Sequence, residues 1–345
     1  MRKVIVFVNR VEEVGFRQTT ALLIASFVRN GCRVILAGID DLSIETTESS
    51  FQATTHGVEV PLHCKTSELV DQLAKSTQSC HATSIGTEDL VVIRTNPGRD
   101  IQRQILHHSS LNLMRIIEAN GTQVINSPSQ LTLFTSKASL ATIEAQFRPE
   151  MIVSQNTEEI CEFVARAPSD CVVKPLVGSR GENVIRVNAA IKNLAERLAK
   201  TFKGEAMVAQ HFVESSHLGD RRVVVLDGEI LELNGHIAGI ERHPASNDFR
   251  ANLHAGGTAH PLTLNAKERA AATHAASLLA DNGIRLAGVD LIGDQIIELN
   301  VFSTGGIFDA NRFATDKGNR AFDFTEAIAK AFLLPQKNLA RGENQ

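Results

Sequence analysis

The chain has no tryptophan and no tyrosine, and only 9 prolines and 5 cysteines in 345 residues. Any flat ligand must therefore lie against phenylalanine, histidine or aliphatic side chains. The cysteines stand at positions 32, 64, 80, 161 and 171, an odd set with no CxxC, which fits reduced thiols better than a disulfide framework. His63-Cys64 and Cys80-His81 match no common zinc spacing. Neither sign of charge dominates: 35 Lys and Arg against 39 Asp and Glu leave −4, which argues against a nucleic-acid partner. No apolar run reaches the length of a membrane span. The opening Met-Arg-Lys-Val-Ile-Val-Phe-Val-Asn lacks the apolar core and cleavage site of a signal peptide, so it reads as a first strand in a cytoplasmic protein. There is no GxxxxGK[ST], and no GxGxxG follows the first strand, which excludes a Walker loop and disfavours a dinucleotide oxidoreductase. No convincing Ser-His or Cys-His pair points to covalent catalysis.

What is present is an α/β pattern. Val4 to Val8 has the continuous apolar character of a buried strand, Arg17 to Asn30 has helical spacing stopped by Gly31, and Arg33 to Ala37 is the next strand. Residues 40–86 are rich in Ser and Thr and weakly periodic, and the pattern does not place them. A strand Asp89 to Arg94, a helix Ile101 to Ala119 and a strand Thr122 to Ile125 follow. This alternation predicts a doubly wound, mostly parallel sheet over residues 1–125. Asn126-Ser-Pro opens a small α+β unit, 126–202, with strands near Met151, at Cys171 to Lys174 and at Asn183 to Val187. A third unit, 203–335, contains strands Ala206 to His211, Arg221 to Leu226 and Glu229 to Leu233, a helix Asn265 to Asp281 and a hairpin at 285–300; residues 336–345 read as a loose polar tail.

The chemistry concentrates in that hairpin, Gly288-Val-Asp290-Leu-Ile-Gly-Asp-Gln-Ile-Ile-Glu298-Leu-Asn300. A turn about Gly293 to Gln295 sets Asp290 opposite Glu298, with Val289 and Leu291 opposite Leu299 and Ile297. One face is then apolar, and the other carries Asp290, Glu298 and Asn300, three oxygen ligands suited to Mg²⁺ shared with phosphates. Upstream, Lys174 ends an apolar strand before Gly178-Ser179-Arg180-Gly181, a loop whose backbone N–H groups can cradle phosphate. The segment Gln210-His211-Phe212-Val213 leaves a strand in the extended form that can bind an adenine edge. In Asp220-Arg221-Arg222 the two arginines point to opposite faces of a strand. Arg250 and Asn252 share a face ahead of a Gly-Gly pair, the first a forked phosphate donor and the second a neutral ligand. Singly, each of these segments reads as readily as an ordinary strand end or surface turn.

Their order resembles that of the ATP-grasp ligases, and within them of the bacterial glutathione synthetase family. The likeness is carried by Leu218-Gly-Asp-Arg-Arg-Val-Val-Val-Leu-Asp-Gly-Glu229, Arg250-Ala-Asn-Leu-His-Ala-Gly-Gly257, the hairpin through Val301, the strand end Val92-Ile-Arg94-Thr-Asn-Pro97, and Asn126-Ser-Pro followed by Lys137. The resemblance implies a two-part ATP-grasp fold after the N-terminal domain and ATP-dependent amide ligation. It implies two Mg²⁺ (Mn²⁺ as a substitute) at Asp290, Glu298 and Asn300. Lys137, Lys174, Gly178, Ser179 and Gly181 would act around the phosphates, Gln210 to Val213 at adenine and Asp220 at the ribose. Arg222, Arg250 and Asn252 would act at the transferred phosphoryl group, and Arg94, Ser303, Thr304 and Gly305 at the substrate. Small peptide and amino-acid substrates and a homo-oligomer are further implications. The chain departs from the family pattern at Val-Gly178-Ser-Arg-Gly181, at Phe302-Ser-Thr-Gly-Gly306 and at Ile240 to Ala245. Two alternatives stay open: a related carboxylate–amine ligase with another donor or acceptor, and a non-catalytic nucleotide-binding regulator.

Overall fold

A computed structural model describes residues 1–62, 80–178, 181–244, 256–315 and 322–334. Its first sheet grows from β1 (Lys3–Val8), every residue of which after Lys3 is buried. β1 pairs in parallel with β2 (Arg33–Thr46) on one side and with a later strand, Leu90–Ile93, on the other. Side chains alternate along it. Ile5 and Phe7 enter one core, and Val4, Val6 and Val8 enter a second on the opposite face. Full burial of one such side chain stabilises the fold by about 2 kcal/mol.

Of residues 40–86, which periodicity did not place, the described part extends this sheet in the antiparallel sense. β2 runs nine residues past the predicted Ala37, and β3 (Phe51–Glu59) and β4 (His81–Ile85) follow it. With β5 (Leu90–Ile93) and β6 (Gln123–Ile125) the order is β4-β3-β2-β1-β5-β6, parallel only from β2 to β6. Helix α1 (Thr19–Arg29) covers one face, buried along nearly its whole length.

The second sheet is antiparallel, in the order β7 (Met151–Ser154), β10 (Met207–His211), β8 (Cys171–Pro175), β9 (Ile185–Val187). It has a core of its own, built on Ile160, Phe163, Leu198, Phe202 and the inward residues of β8 and β10. The third sheet centres on β11 (Asp220–Leu226). At its end Asp227 and Gly228, both at positive φ, make a two-residue turn. Glu229 to Leu233, read as one strand, is divided into β12 (Glu229–Ile230) and β13 (Glu232–Leu233); β13 leaves the sheet to pair with β14 (His236–Ile237). β15 (Gly239–His243), β16 (Thr258–Pro261), β17 (Leu286–Ile292) and β18 (Gln295–Asn300) complete the order β16-β15-β11-β17-β18. Helix Ala266–Asp281 starts on a capping box formed by Asn265 and Glu268.

The first and third sheets share their cores: Ile5 and Phe7 lie in one cluster with Val223 and Val289, and Val4 and Val6 in another with Val224 and Leu286. Asn126 brackets the junction with four hydrogen bonds. Its Nδ2 donates to Leu286 O and Val301 O, both at 2.8 Å, and its Oδ1 accepts from Arg285 N and Leu286 N. The second sheet stands apart on its separate core and roofs the cleft that follows.

Candidate active site

The cleft lies between the second sheet and the β17–β18 hairpin. Its cavity has a volume of about 130 Å³ and is bordered by Lys137, Lys174, Gly178, Gly181, Gln210, Phe212, Val213, Asp220, Asp290 and Glu298, all singled out from sequence, together with Arg242, which was not. The hairpin register is as expected at Val289↔Leu299 and Asp290↔Glu298. It then shifts at a bulge, so that Leu291 faces Ile296 and not the predicted Ile297. The extra residue turns Ile297 into the cleft wall and leaves Ile296 fully buried.

Asp290 is 2% exposed and holds two guanidinium groups. Arg222, its cross-strand partner on β11, donates from Nε to Oδ1 at 2.7 Å and from a terminal nitrogen to Oδ2 at 2.6 Å. Arg242 on β15 donates to Oδ2 at 2.9 Å and to Asp220 Oδ1 at 2.5 Å. Burial pushes the Asp290 pKa up, but the two arginines outweigh it and hold the carboxyl below its ordinary range. Burial likewise opposes the charge on Arg242, and the two carboxylates reverse that effect. Arg221, as alternation requires, points the other way, to Glu268 at 3.3 Å.

Two lysines face this knot. Lys137 donates to Gly178 O at 3.0 Å and stands 3.5 Å from Glu298. Lys174 donates to Ile297 O at 3.0 Å; burial pushes it down to about 8, although Glu298 pulls it back up. Beside them Val172, Val184, Ile292, Ile297 and Phe212 form an apolar slot. At its edge Gln210 is buried, and its Oε1 has no protein partner. An orphaned acceptor over an apolar slot suits a base that carries an exocyclic amine. His211 is a correction: its ring stacks on Phe163 at 5.2 Å, because strand alternation turns it away from Gln210 and the slot.

The donor set fits a hard cation. Among the described residues Asp290 Oδ1 accepts a single hydrogen bond and keeps a lone pair, Glu298 lies 3.5 Å from a lysine, and Asn300 can offer its amide oxygen to the ion while its buried Nδ2, which has no partner there, donates to a phosphate oxygen. Among the described residues no three His, Cys, Asp or Glu side chains converge, so two acids and an amide would leave phosphate oxygens to complete the shell.

A second, wider cavity adjoins the first, sharing Lys137, Gly178, Arg242 and Glu298 with it, and extends toward the first sheet. Arg94, Ser303, Thr304, Gly305, Arg222 and Asn300 line it. Arg94 is buried there and donates to Phe302 O and Thr304 O, each at 3.2 Å. Ser179, Arg250 and Asn252 lie outside the described residues. The residue that sequence reasoning missed is Arg242. Its signal was the strand Gly-Ile-Glu-Arg-His next to Asp220-Arg-Arg, which read as a departure from the family and becomes informative only when β15 pairs with β11, setting Arg242 opposite Asp220.

An antiparallel sheet folded over a hairpin of acids, with lysines aimed at the gap, defines an ATP-grasp enzyme, an ATP-dependent ligase. Solved ATP-grasp ligases share the fold over almost the whole chain. D-cycloserine synthetase DcsG superposes with a TM-score of 0.61 at 17% identity, covering 95% of this chain and 99% of its own. The ATP-grasp ligase PsnB bound to a minimal precursor gives 0.58 at 18%, covering 96% and 99%. The family models for the prokaryotic glutathione synthetase N-terminal domain and ATP-grasp domain match residues 2–132 and 137–315. Glutathione synthetases from Mesorhizobium japonicum, Agrobacterium fabrum and Pseudomonas putida are 29%, 30% and 30% identical over 67%, 66% and 70% of this chain and 70%, 68% and 74% of their own. The chain belongs to the prokaryotic glutathione synthetase family.

Proposed function

We propose that this ligase joins the cysteinyl carboxylate of γ-glutamylcysteine to the amine of glycine, giving glutathione, ADP and phosphate. The observation that carries the reading is the convergence of Asp290, Glu298, Arg242, Lys137 and Lys174 on one cleft beside an apolar slot, with Arg222 bonded to Asp290. The adenine lies in the slot, with Gln210 accepting from its amine and Phe212 and Val213 along its edge, and Asp220 stands near the ribose. Lys137, Lys174 and the Gly178–Gly181 loop draw the phosphates inward. Asp290, Glu298 and Asn300 would hold Mg²⁺, two ions per site, with Mn²⁺ as a substitute, and the metal would supply neutralisation of the phosphate charge.

The donor carboxylate attacks the γ-phosphorus, and the acyl phosphate formed is attacked by the acceptor amine. Arg222 and Arg242, preorganised by Asp290, stabilise the charge on the transferred group, and Arg250 and Asn252 belong to the same centre. No side-chain nucleophile takes part. An acyl phosphate is lost to water, so the second sheet, resting on its own core, closes over the cleft. Arg94 and the segment Ser303-Thr304-Gly305 seat the substrate. We place the enzyme in the cytoplasm as a homo-oligomer. The free cysteines at 32, 161 and 171 support a reducing compartment, and no helix among the described residues is long and apolar enough to cross a membrane. The divisions 1–125, 126–202 and 203–335 need one change: Ala206 to His211, assigned from sequence to the third unit, forms β10 between β7 and β8, so we extend the second unit through His211.

The test is ADP release from ATP and Mg²⁺ with γ-glutamylcysteine and glycine, run beside a panel of other amines, because Phe302 to Gly306 departs from the family pattern where the acceptor would lie. Release that requires both γ-glutamylcysteine and glycine supports the reading. Release with another amine and not with glycine replaces the acceptor, and no dependence on either substrate sinks the ligase assignment for these substrates.

A further inference from the structure

The roof meets the body of the molecule at a pair of glycines. β8 runs on past Pro175 to Gly178, whose carbonyl accepts from Lys137 Nζ at 3.0 Å. Gly98, buried in the 3₁₀ turn Pro97–Arg99 after β5, lies against it. A Cβ on Gly98 would stand 3.3 Å from the carbonyl carbon of Gly178 and 3.4 Å from its oxygen. Gly98 is not at positive φ, so its backbone conformation does not call for glycine. What excludes a side chain is crowding, by Gly178 and by Asn96 Oδ1 at 3.2 Å.

The turn beneath this contact is fixed from below. Asn96 N donates to Oδ1 of Asn9, just past β1, at 2.6 Å, and Asn96 O accepts from Asn9 Nδ2 at 3.0 Å. Asn96 Nδ2 donates to Ser303 Oγ at 3.1 Å, and Pro97 O accepts from Gln104 Nε2 at 2.8 Å. The roof, in contrast, rests on a core of its own and can give way as a unit. Position matters as much as stiffness. Gly98 lines the wider cavity and Gly178 lines both, so the contact lies on the seam where the nucleotide cleft opens into the substrate cavity. On the ligase reading above, the γ-phosphoryl group and the donor carboxylate meet along that seam.

We propose that Gly98 is a positioning residue on which the roof is seated, and that its contact with Gly178 keeps water from the seam while the acyl phosphate awaits the amine. This role rests on the ligase reading. A side chain at Gly98 would hold Gly178 off and admit water. Water then takes the place of the amine: the acyl phosphate is hydrolysed, the donor carboxylate is returned and phosphate leaves. The net change is ATP and water to ADP and phosphate. Gly98 therefore governs how much ATP is converted without a bond being made.

The test measures both products. In the parent, ADP and amide should form in equal amounts from ATP, γ-glutamylcysteine and glycine. Gly98→Ala should release about threefold more ADP than amide, and Gly98→Val about tenfold more, with ADP release still dependent on the donor. A loss confined to kcat or KM, with the products still equal, overturns the seat. So does recovery of equal products in Gly98→Ala carrying Asn96→Ala, since the effect would then run through the Asn96–Ser303 bond. A second readout does not need the donor. With a non-hydrolysable ATP analogue bound, amide hydrogen exchange over Lys174 to Gly178 should be faster in both variants than in the parent, and equal rates overturn the seat. If the parent forms no ADP from γ-glutamylcysteine and glycine while the exchange difference remains, the substrate assignment fails and the seat stands.

Discussion

At the scale of single residues, the site is a set of charges held close to the limit of what burial permits. Lys174 titrates near 8 in place of its usual 10.5 because it is desolvated, so the free enzyme loses this phosphate ligand just above neutrality. A base with a lowered folded pKa favours its neutral form in the fold. Stability therefore rises as pH climbs from about 8 toward 10.5, whereas ATP affinity falls over the same range. KM for ATP should increase up to about tenfold between pH 8 and pH 9, and Lys174→Arg should flatten that profile. Arg242 presents the opposite case. Removing it leaves Asp220 and Asp290 side by side and short of a cation, so Arg242→Met should cost about 3 kcal/mol or more in urea unfolding as well as turnover. Glu298→Gln keeps the shape and removes the charge. Turnover should disappear while the circular dichroism spectrum persists, and near-normal ligation would rule out this metal site.

At the scale of elements, one hairpin and one loop decide the chemistry. β17 is pressed so close to the loop after β18 that a Cβ on Gly288 would overlap Thr304 Oγ1 and come within 3.1 Å of its Cβ. Gly288→Ala should therefore push Ser303 to Gly306 outward, raise the donor KM at least about tenfold and lower the melting temperature. Thr304→Ala in the same chain should restore part of both. Recovery of neither would mean that the contact is irrelevant. The bulge after Asp290 belongs at this scale too, since it lets one hairpin present both acids and still bury Ile296.

At the scale of the molecule, the first and third sheets form one body and the second a separate roof. Asn126 is the clasp of that body, with all four of its hydrogen-bonding positions engaged by backbone groups of Arg285, Leu286 and Val301. Asn126→Leu strands those groups without partners and should cost about 3 kcal/mol or more, seen as a lower urea midpoint with an unchanged slope. A midpoint within error of the parent would show that the junction is held by packing alone.

Most of the strands, the helix spacing and the facing of Asp290 and Glu298 were legible in the residues, because period-two and period-3.6 patterns and a two-residue turn are local physics. Residues 40–86 were not legible. β4 is the edge strand and β3 its neighbour, and in both the apolar residues are interrupted by Thr, Ser and His, with Thr55 itself buried, so no continuous apolar signal marks them. The bulge, the inward turn of Arg242 and the carbonyls of Phe302 and Thr304 that hold Arg94 were also hidden, because each depends on which distant strand or loop comes to lie beside it. Local sequence determines which groups are available. Only the packing of one sheet on another determines which cations meet an acid within the fold and which are left facing a cavity.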